Sequence, residues 1–326
     1  MIIGQDRAVD QFASAWATRQ LHHAWLLAGP KGVGKASFAA AAARRVLAEA
    51  AGPGFDLAGL ESPPDHPMVR LVDAGSHPDM RLLERLPHEK TGIILRNITI
   101  QQVRALGEFM GLSAAMSDWR VAIIDSLDDL EKAAANALLK ILEEPPPNTI
   151  FLLVSHAPGK LLPTIRSRCR RLDFMGLGDD VMASILEHEG PELGAAERRR
   201  VIAMASGSAG RAIAFSALGL AKIEESALAI LRDGDPTNAR RAELAAELGK
   251  KGSAEKYAAF LDFVPTMIAR EARQLDGRRQ ERALEAYARA RQLAAVAPRV
   301  SLDPAATAFQ MGGFLAAVAE APSLKR

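Results

Sequence analysis

Apolar and polar positions follow two different rhythms along the chain, and the change between them marks its organisation. In the first half, short unbroken apolar runs alternate with longer amphipathic stretches. "HAWLLAG" (23–29), "WRVAIIDSL" (119–127) and "TIFLLVS" (149–155) are runs of strand length, as expected for strands buried on both faces. "MVRLVDAG" (68–75) reads as one more strand. "KASFAAAAARRVLAEAA" (35–51), "ITIQQVRALGEFMGL" (98–112) and "LEKAAANALLKILEE" (130–144) carry apolar residues at helical spacing. The first of these ends at Gly52–Gly54 and the last at Pro145–Pro147, where the chain loses either its helical φ or its N–H donor. Residues 52–68 are rich in Gly and Pro and read as a loop. Strands alternating with helices predict an α/β domain, a parallel sheet with helices on both faces.

After Phe174 the strand rhythm stops. "GDDVMASILEHEG", "GAAERRRVIAMAS" and "SAGRAIAFSALG" are short helical patterns with Gly at their ends. From about Leu220 the helical segments lengthen: "KIEESALAILRD", "NARRAELAAELGK", "AEKYAAFLDFVPTMIAREARQL", "RRQERALEAYARARQLAAV" and "DPAATAFQMGGFLAAVAEA". The expected domains are an α/β domain over 1–175, a small helical domain over 176–219 and an all-α C-terminal domain over 220–326. Phe260, Phe263, Met267 and Ile268 lie on apolar stripes of that last domain. A small domain has difficulty burying them all, so some are expected to face partners.

Composition narrows the classes. The 326 residues are 48% hydrophobic and 25% charged, with a net charge of +2, so any basic surface must be local. Cys169 is the single cysteine, which excludes an internal disulfide and fits a reducing, cytoplasmic setting. "MIIGQDRAVDQF" at the N-terminus lacks the basic-then-apolar order of a signal peptide. No apolar segment approaches the ~18 residues of a membrane span, and no membrane partner is expected.

The chemistry is concentrated at Gly29-Pro30-Lys31-Gly32-Val33-Gly34-Lys35, which matches G-x-x-x-x-G-K between a strand and a helix. Gly29, Gly32 and Gly34 let backbone N–H groups turn towards phosphate oxygens at a helix N-terminus, and Lys35 reaches the terminal phosphates. A hydrolytic site also needs a hydroxyl after the lysine and an acidic strand end to hold Mg²⁺. Asp125 supplies the acid, unless it is simply a turn residue at a strand end. Ala36 stands where the hydroxyl belongs. Ser37 follows it, rotated by about 100° around the helix. The position after Asp125, where a water-activating glutamate is often found, is Ser126, equally readable as a turn hydroxyl. The loop therefore predicts either a degenerate site holding ATP or ADP with Mg²⁺, or a fold element kept without ligand. Asp65, His66, His77 and Asp79 have no spacing suited to a tetrahedral metal site, so no zinc is expected.

"IIGQDRAVDQF", "LHHAWLLAGPKGVGK", "HPDM" and "AANALLKILEEPPPNTIFLLVSHAPGKLLPTIRSRCRRLDF", in that order after one another along residues 1 to about 215, closely resemble the clamp-loader branch of the AAA+ ATPases. The resemblance implies an AAA+ phosphate-loop domain, a helical lid and a C-terminal collar. It implies that Arg168, in "SRC", points at a neighbouring subunit's nucleotide; the alternative is a solvated basic run with Arg166, Arg170 and Arg171. It likens Ser155 to the sensor 1 position, Arg211 to the sensor 2 position and His23-Ala24 to a base-pocket segment, His23 being equally readable as a buried histidine at the start of a strand. Many relatives carry a four-cysteine zinc module before the second strand; residues 50–70 here have no cysteine. Partners implied are subunits of the gamma/tau and delta types, with the sliding clamp and primed DNA met through the complex. Ala36 and Ser126 favour a non-hydrolysing subunit over an active gamma/tau-like ATPase. A self-sufficient homo-oligomeric motor and a small-molecule kinase are the other classes weighed; the loop argues against the first and the long helical tail against the second.

Overall fold

The structure is a computed structural model that describes residues 2–319 apart from 89–91 and 93. The chain divides into two compact units, Met1–Val181 and Met182–Arg326.

The first unit runs α1 (Asp6–Ala17), β1 (Ala24–Ala28), α2 (Lys35–Ala51), α3 (Pro67–Asp73), β2 (Met80–Leu83), α4 (Ile100–Gly111), β3 (Arg120–Asp125), α5 (Lys132–Glu143), β4 (Thr149–Ser155), α6 (Pro163–Arg166) and β5 (Arg170–Asp173). The strands form one sheet in the order β2-β3-β4-β1-β5, and every pairing is parallel. Alternation of side chains across a strand builds two cores. Trp25, Leu27, Ile150, Leu152 and Val154 face α1 and α2, where Phe12, Phe38 and Leu47 meet them. Leu26, Phe151, Leu153 and Ile124 face the α4 and α5 side, against Leu106, Phe109 and Leu138. Phe12 lies 5.1 Å from Trp25 and 5.8 Å from Phe38, ring centre to ring centre, in tilted and edge-on contacts.

Two sequence expectations change here. "MVRLVDAG" is not a strand; most of it is the helix α3. Pro67 takes the first helical position, His66 Nδ1 accepts from the Met68 N–H at 3.3 Å, and the buried residues Met68, Val69 and Val72 keep helical spacing. These are helix-start signals that outrank a β-branched composition. The second strand is instead Met80–Leu83, and a fifth, "RRLD", was not expected. Only Leu172 of β5 is buried, so an edge strand passes as a polar run.

The residues weighed as metal ligands each have other partners. Asp65 pairs with Arg70 at 2.6 Å. His77 Nδ1 accepts from the Asp79 N–H at 3.0 Å and its Nε2 meets Met68 Sδ at 3.2 Å. Among the described residues no group of His, Cys, Asp and Glu is arranged to hold a metal. Ala48, Met68 and Val69, with Phe55 and Leu71, form a small apolar cluster there.

The second unit starts within the first turn of α7 (Asp179–Glu189). It continues through α8 (Ala195–Ala205), α9 (Ala209–Leu218), α10 (Ala221–Asp233), α11 (Ala239–Leu248), α12 (Ala254–Ala272), α13 (Gly277–Val296) and α14 (Pro304–Ala316). Helices expected in the lid and in the C-terminal domain share this unit: α12 packs against α8 and α9 as well as α13 and α14. Phe260, Phe263, Met267 and Ile268 are all buried within it. The expectation that some of them face partners is overturned. Phe215 of α9 closes over Phe263 with ring centres 6.0 Å apart, and Phe260 packs on Phe263 at 5.6 Å. Helices α8 and α9, expected to form a separate small domain, supply part of this cover.

Asp79 is fully buried at the start of β2 and accepts from the N–H groups of Ala115, Met116 and Ser117 at 2.6, 2.8 and 3.0 Å. Burial pushes its carboxyl up, but those three donors and His77 together hold it below the usual aspartate range. Replacing Asp79 by Ala should cost about 2–4 kcal/mol, because buried N–H groups lose their acceptor; urea unfolding measures it. With its folded pKa depressed, the wild-type contribution is present above the ordinary carboxyl range. It should disappear as pH falls through the lowered value.

Candidate functional site

Parallel strands put every carboxyl end on one edge of the sheet, and β4 sits between β1 and β3. The phosphate loop after β1, Ser155 at the end of β4 and Asp125 at the end of β3 are therefore neighbours along that edge. The Gly29 N–H donates to the Ser155 carbonyl at 3.3 Å and starts the loop in register with β4. A side chain at Gly29 is excluded: its Cβ falls 2.2 Å from the Phe174 carbonyl oxygen. Gly34, with φ of 99°, adopts the left-handed conformation that glycine alone takes easily.

Lys35 is 3% exposed. Its Nζ donates to the Gly29 carbonyl at 2.7 Å and to the Pro30 carbonyl. Burial lowers its pKa to about 8, opposed by the charges of Asp125 and Asp128. The loop is also braced from the N-terminal side. Gln5 Nε2 donates to the carbonyls of Val33 (3.1 Å) and Met175 (2.8 Å), and its Oε1 accepts from the Met175 N–H at 3.3 Å.

Asp128 is the residue that sequence reasoning missed. Its carboxylate accepts from Ser155 Oγ (3.2 Å), the His156 N–H (2.6 Å) and the Ala157 N–H (3.0 Å), so it ties the end of β4 to the turn after β3. The run "DSLDDL" contains it, but turns are commonly rich in aspartate, so position alone gave no signal. Ser155 is fully buried and its hydroxyl is committed to this bond. Ser126 is 2% exposed and donates to Asp129 Oδ2 at 3.1 Å. His156 joins the cluster: burial, then Lys35, lowers its pKa, while Asp128 and Asp125 act the other way. Ala36 and Ser37 are exposed on the first turn of α2. The residues can cradle an anion at Lys35 and the helix N-terminus, and Asp125 can take one side of a metal. The donor set lacks the hydroxyl next to Lys35 and a carboxylate at position 126.

Two predicted residues of the first unit, Arg168 and His23, lie at the other edge. Arg168 precedes β5, and the register Trp25↔Arg170 places it level with the residue before β1. It therefore stands at the opposite edge of the sheet from Gly29, about 20 Å away along the strand direction at ~3.3 Å per residue. Its Nη2 pairs with Glu143 at the end of α5 (2.7 Å), and its Nη1 donates to the Thr164 carbonyl (2.9 Å). Cys169 next to it directs Sγ at the Ile165 carbonyl (3.1 Å), and burial pushes the thiol up to about 12. His23 is also on this edge, at the amino end of β1 and in reach of the Leu142 carbonyl; burial, then His22, lowers its pKa. Its ring is half-buried there. Arg211 belongs to the second unit. It pairs with Asp262 of α12 at 2.8 Å and also donates to the Asp262 carbonyl and to Thr266 Oγ1.

A parallel sheet of this order, with the phosphate loop after β1, the acidic end on β3 and the polar end on β4, defines an AAA+ phosphate-loop domain. Residues 4–177, just over half the chain, match the family described as "DNA polymerase III, delta subunit". The chain belongs to that family. It is 38% identical over 147 residues to DNA polymerase III subunit delta' of Pseudomonas aeruginosa, covering 45% of this chain and 41% of that one. It is 36% identical over 154 residues to subunit delta' of Haemophilus influenzae, covering 46% and 41%. Subunit tau of Bacillus subtilis is 30% identical over 178 residues, covering 53% of this chain and 28% of that one. The matched region thus spans about two fifths of the delta' relatives' length.

Lys35 should titrate with a midpoint near 8 when followed by NMR of isotope-labelled lysine. Because its folded pKa is depressed, the folded chain sheds this proton before the unfolded one. The burden of burying the charge should therefore be relieved as pH rises from about 8 towards the usual lysine range. Lys35→Met should abolish that rise in stability.

Proposed function

We propose that this chain is the delta'-type subunit of a clamp loader. It assists ATP-dependent loading of a sliding clamp onto primed DNA, gives Arg168 to a neighbouring subunit's nucleotide, and does not hydrolyse ATP itself. Its partners are subunits of the gamma/tau and delta types. The observation that carries the reading is the position of Arg168. It stands at the sheet edge opposite its own phosphate loop, so it cannot serve its own site. Half-exposed and anchored by Glu143 and Thr164, it keeps N–H groups free for a ligand approaching from outside. A guanidinium supplied in this way neutralises charge on a phosphoryl group in transfer. The similarity to delta' subunits supports the same assignment.

The second reading is an active gamma/tau-like ATPase, favoured by the similarity to subunit tau. It requires a metal ligand that Ala36 cannot give and a base at position 126, where a buried serine is bonded to Asp129. Arg211, tied to Asp262 and Thr266 inside the second unit, supports the non-hydrolysing reading as well. As a sensor for nucleotide on its own chain, it would first have to leave those partners. Among the described residues no helix is long and apolar enough to cross a membrane.

The deciding experiment is Arg168→Ala in the reconstituted complex. Hydrolysis at the neighbour's site should fall by about 10³–10⁵-fold, while the folding of this chain stays the same. Clamp loading at the wild-type rate would leave Arg168 as an ordinary surface cation. The isolated wild-type chain should turn over little or no ATP. Ala36→Thr, on an exposed position, should raise Mg²⁺-dependent ADP affinity in calorimetry while hydrolysis stays slow. An unchanged affinity would mean that the missing hydroxyl is not what limits the site.

A further inference from the structure

We propose that the groove between α12 and α13 docks an acidic amphipathic helix contributed by another subunit. The two helices form an antiparallel pair joined by residues 273–276. Their outer faces part to leave a groove of about 550 Å³. Its floor is small and apolar: Leu261, Pro265 and Ala269 on α12, and Ala294, Ala295 and Pro298 on or just after α13. The α12 lining recurs every three or four residues from Ala258 to Arg273. That is about 22 Å at 1.5 Å per residue, room for four turns of a guest helix. Such a groove takes apolar anchors at i, i+3 or i+4, and i+7. Pro265 also denies the Leu261 carbonyl its helical N–H donor and so leaves an acceptor in the groove wall.

The charges on the rim choose the guest. Asp262 is already answered by Arg211 at 2.8 Å. Arg273 and Arg291 line the groove, are exposed, and make no ion pair among the described residues. Arg291 Nη1 donates to a neutral group, the Tyr287 hydroxyl, at 3.4 Å. A purely apolar guest would strip water from two guanidinium groups and leave them uncompensated, which is costly. Carboxylates on the guest remove that cost. A second copy of this chain docking the same face would bring two more arginines and no carboxylate except Asp262, which Arg211 already holds. The chain's own C-terminal residues Lys325 and Arg326 have the wrong sign. Nucleic acid asks for a longer cationic track than two arginines on an alanine floor.

The proposal rests on reading this chain as one subunit of a hetero-oligomer. The test uses the full chain with the gamma/tau- and delta-type subunits of the same organism. A photo-crosslinking amino acid at Ala294 should join the groove to a carboxylate-bearing helix of one of those subunits, identified by peptide mapping. The pair Arg273→Glu and Arg291→Glu should weaken assembly by about tenfold or more, and the pair Arg273→Lys and Arg291→Lys should retain it. Both arginines are exposed and have no internal carboxylate, so circular dichroism should show the variants folded. If charge reversal does unfold the chain, the lysine pair and the crosslink still decide. Failure of the wild-type chain to assemble would overturn the subunit reading and this proposal with it. Wild-type assembly that survives charge reversal, or crosslinks only to DNA or to a second copy, would overturn the docking site alone.

Discussion

Everything in the first unit depends on the strands being parallel. A parallel sheet cannot turn back on itself through a hairpin, so each strand begins at one edge and ends at the other. The carboxyl ends collect the phosphate loop, Asp125, Asp128 and Ser155, while the amino ends receive Arg168 and His23. Helix α5 links the two edges: it begins just after the Ser126–Asp129 turn and ends on Glu143, the partner of Arg168. A single sheet therefore presents a phosphate cradle at one edge and the Glu143-paired guanidinium of Arg168 at the other.

The phosphate loop is held by bonds from its own chain. Lys35 fills it with its own ammonium, held by two loop carbonyls, and Gln5 fixes the loop from behind. Asp128 satisfies the backbone at the end of β4. Lys35, Ser126 and Ser155 each already have a structural duty. Ala36, exposed on the first turn of α2, and Ser126, bonded to Asp129, leave those bonds in place.

Long unbroken patterns were legible in the sequence. The run from Lys35 to Ala51 forms a helix with those bounds, and Thr149–Ser155 forms a strand with those bounds. Short elements were not. The helix α3 hid in a β-branched segment because its start depends on the side chain of His66, and β5 hid because only one of its residues is buried. At the site, the glycines, Lys35, Asp125 and Ser155 were visible because their spacing is fixed by the loop and strand ends. Asp128 and Glu143 were not, since each acquires its role from a contact across the fold. The burial of Phe260 and Phe263 also lay beyond the sequence, because it depends on helices more than forty residues upstream.

The burial of Cys169 has a practical consequence. With its thiol pushed up to about 12, the chain's single native sulfhydryl holds very little thiolate at neutral pH. A cysteine introduced on the surface, with an ordinary pKa near 8.5, would carry roughly three orders of magnitude more. Fluorescent or spin labels can therefore be directed to chosen positions in the native background, without first altering the residue beside Arg168.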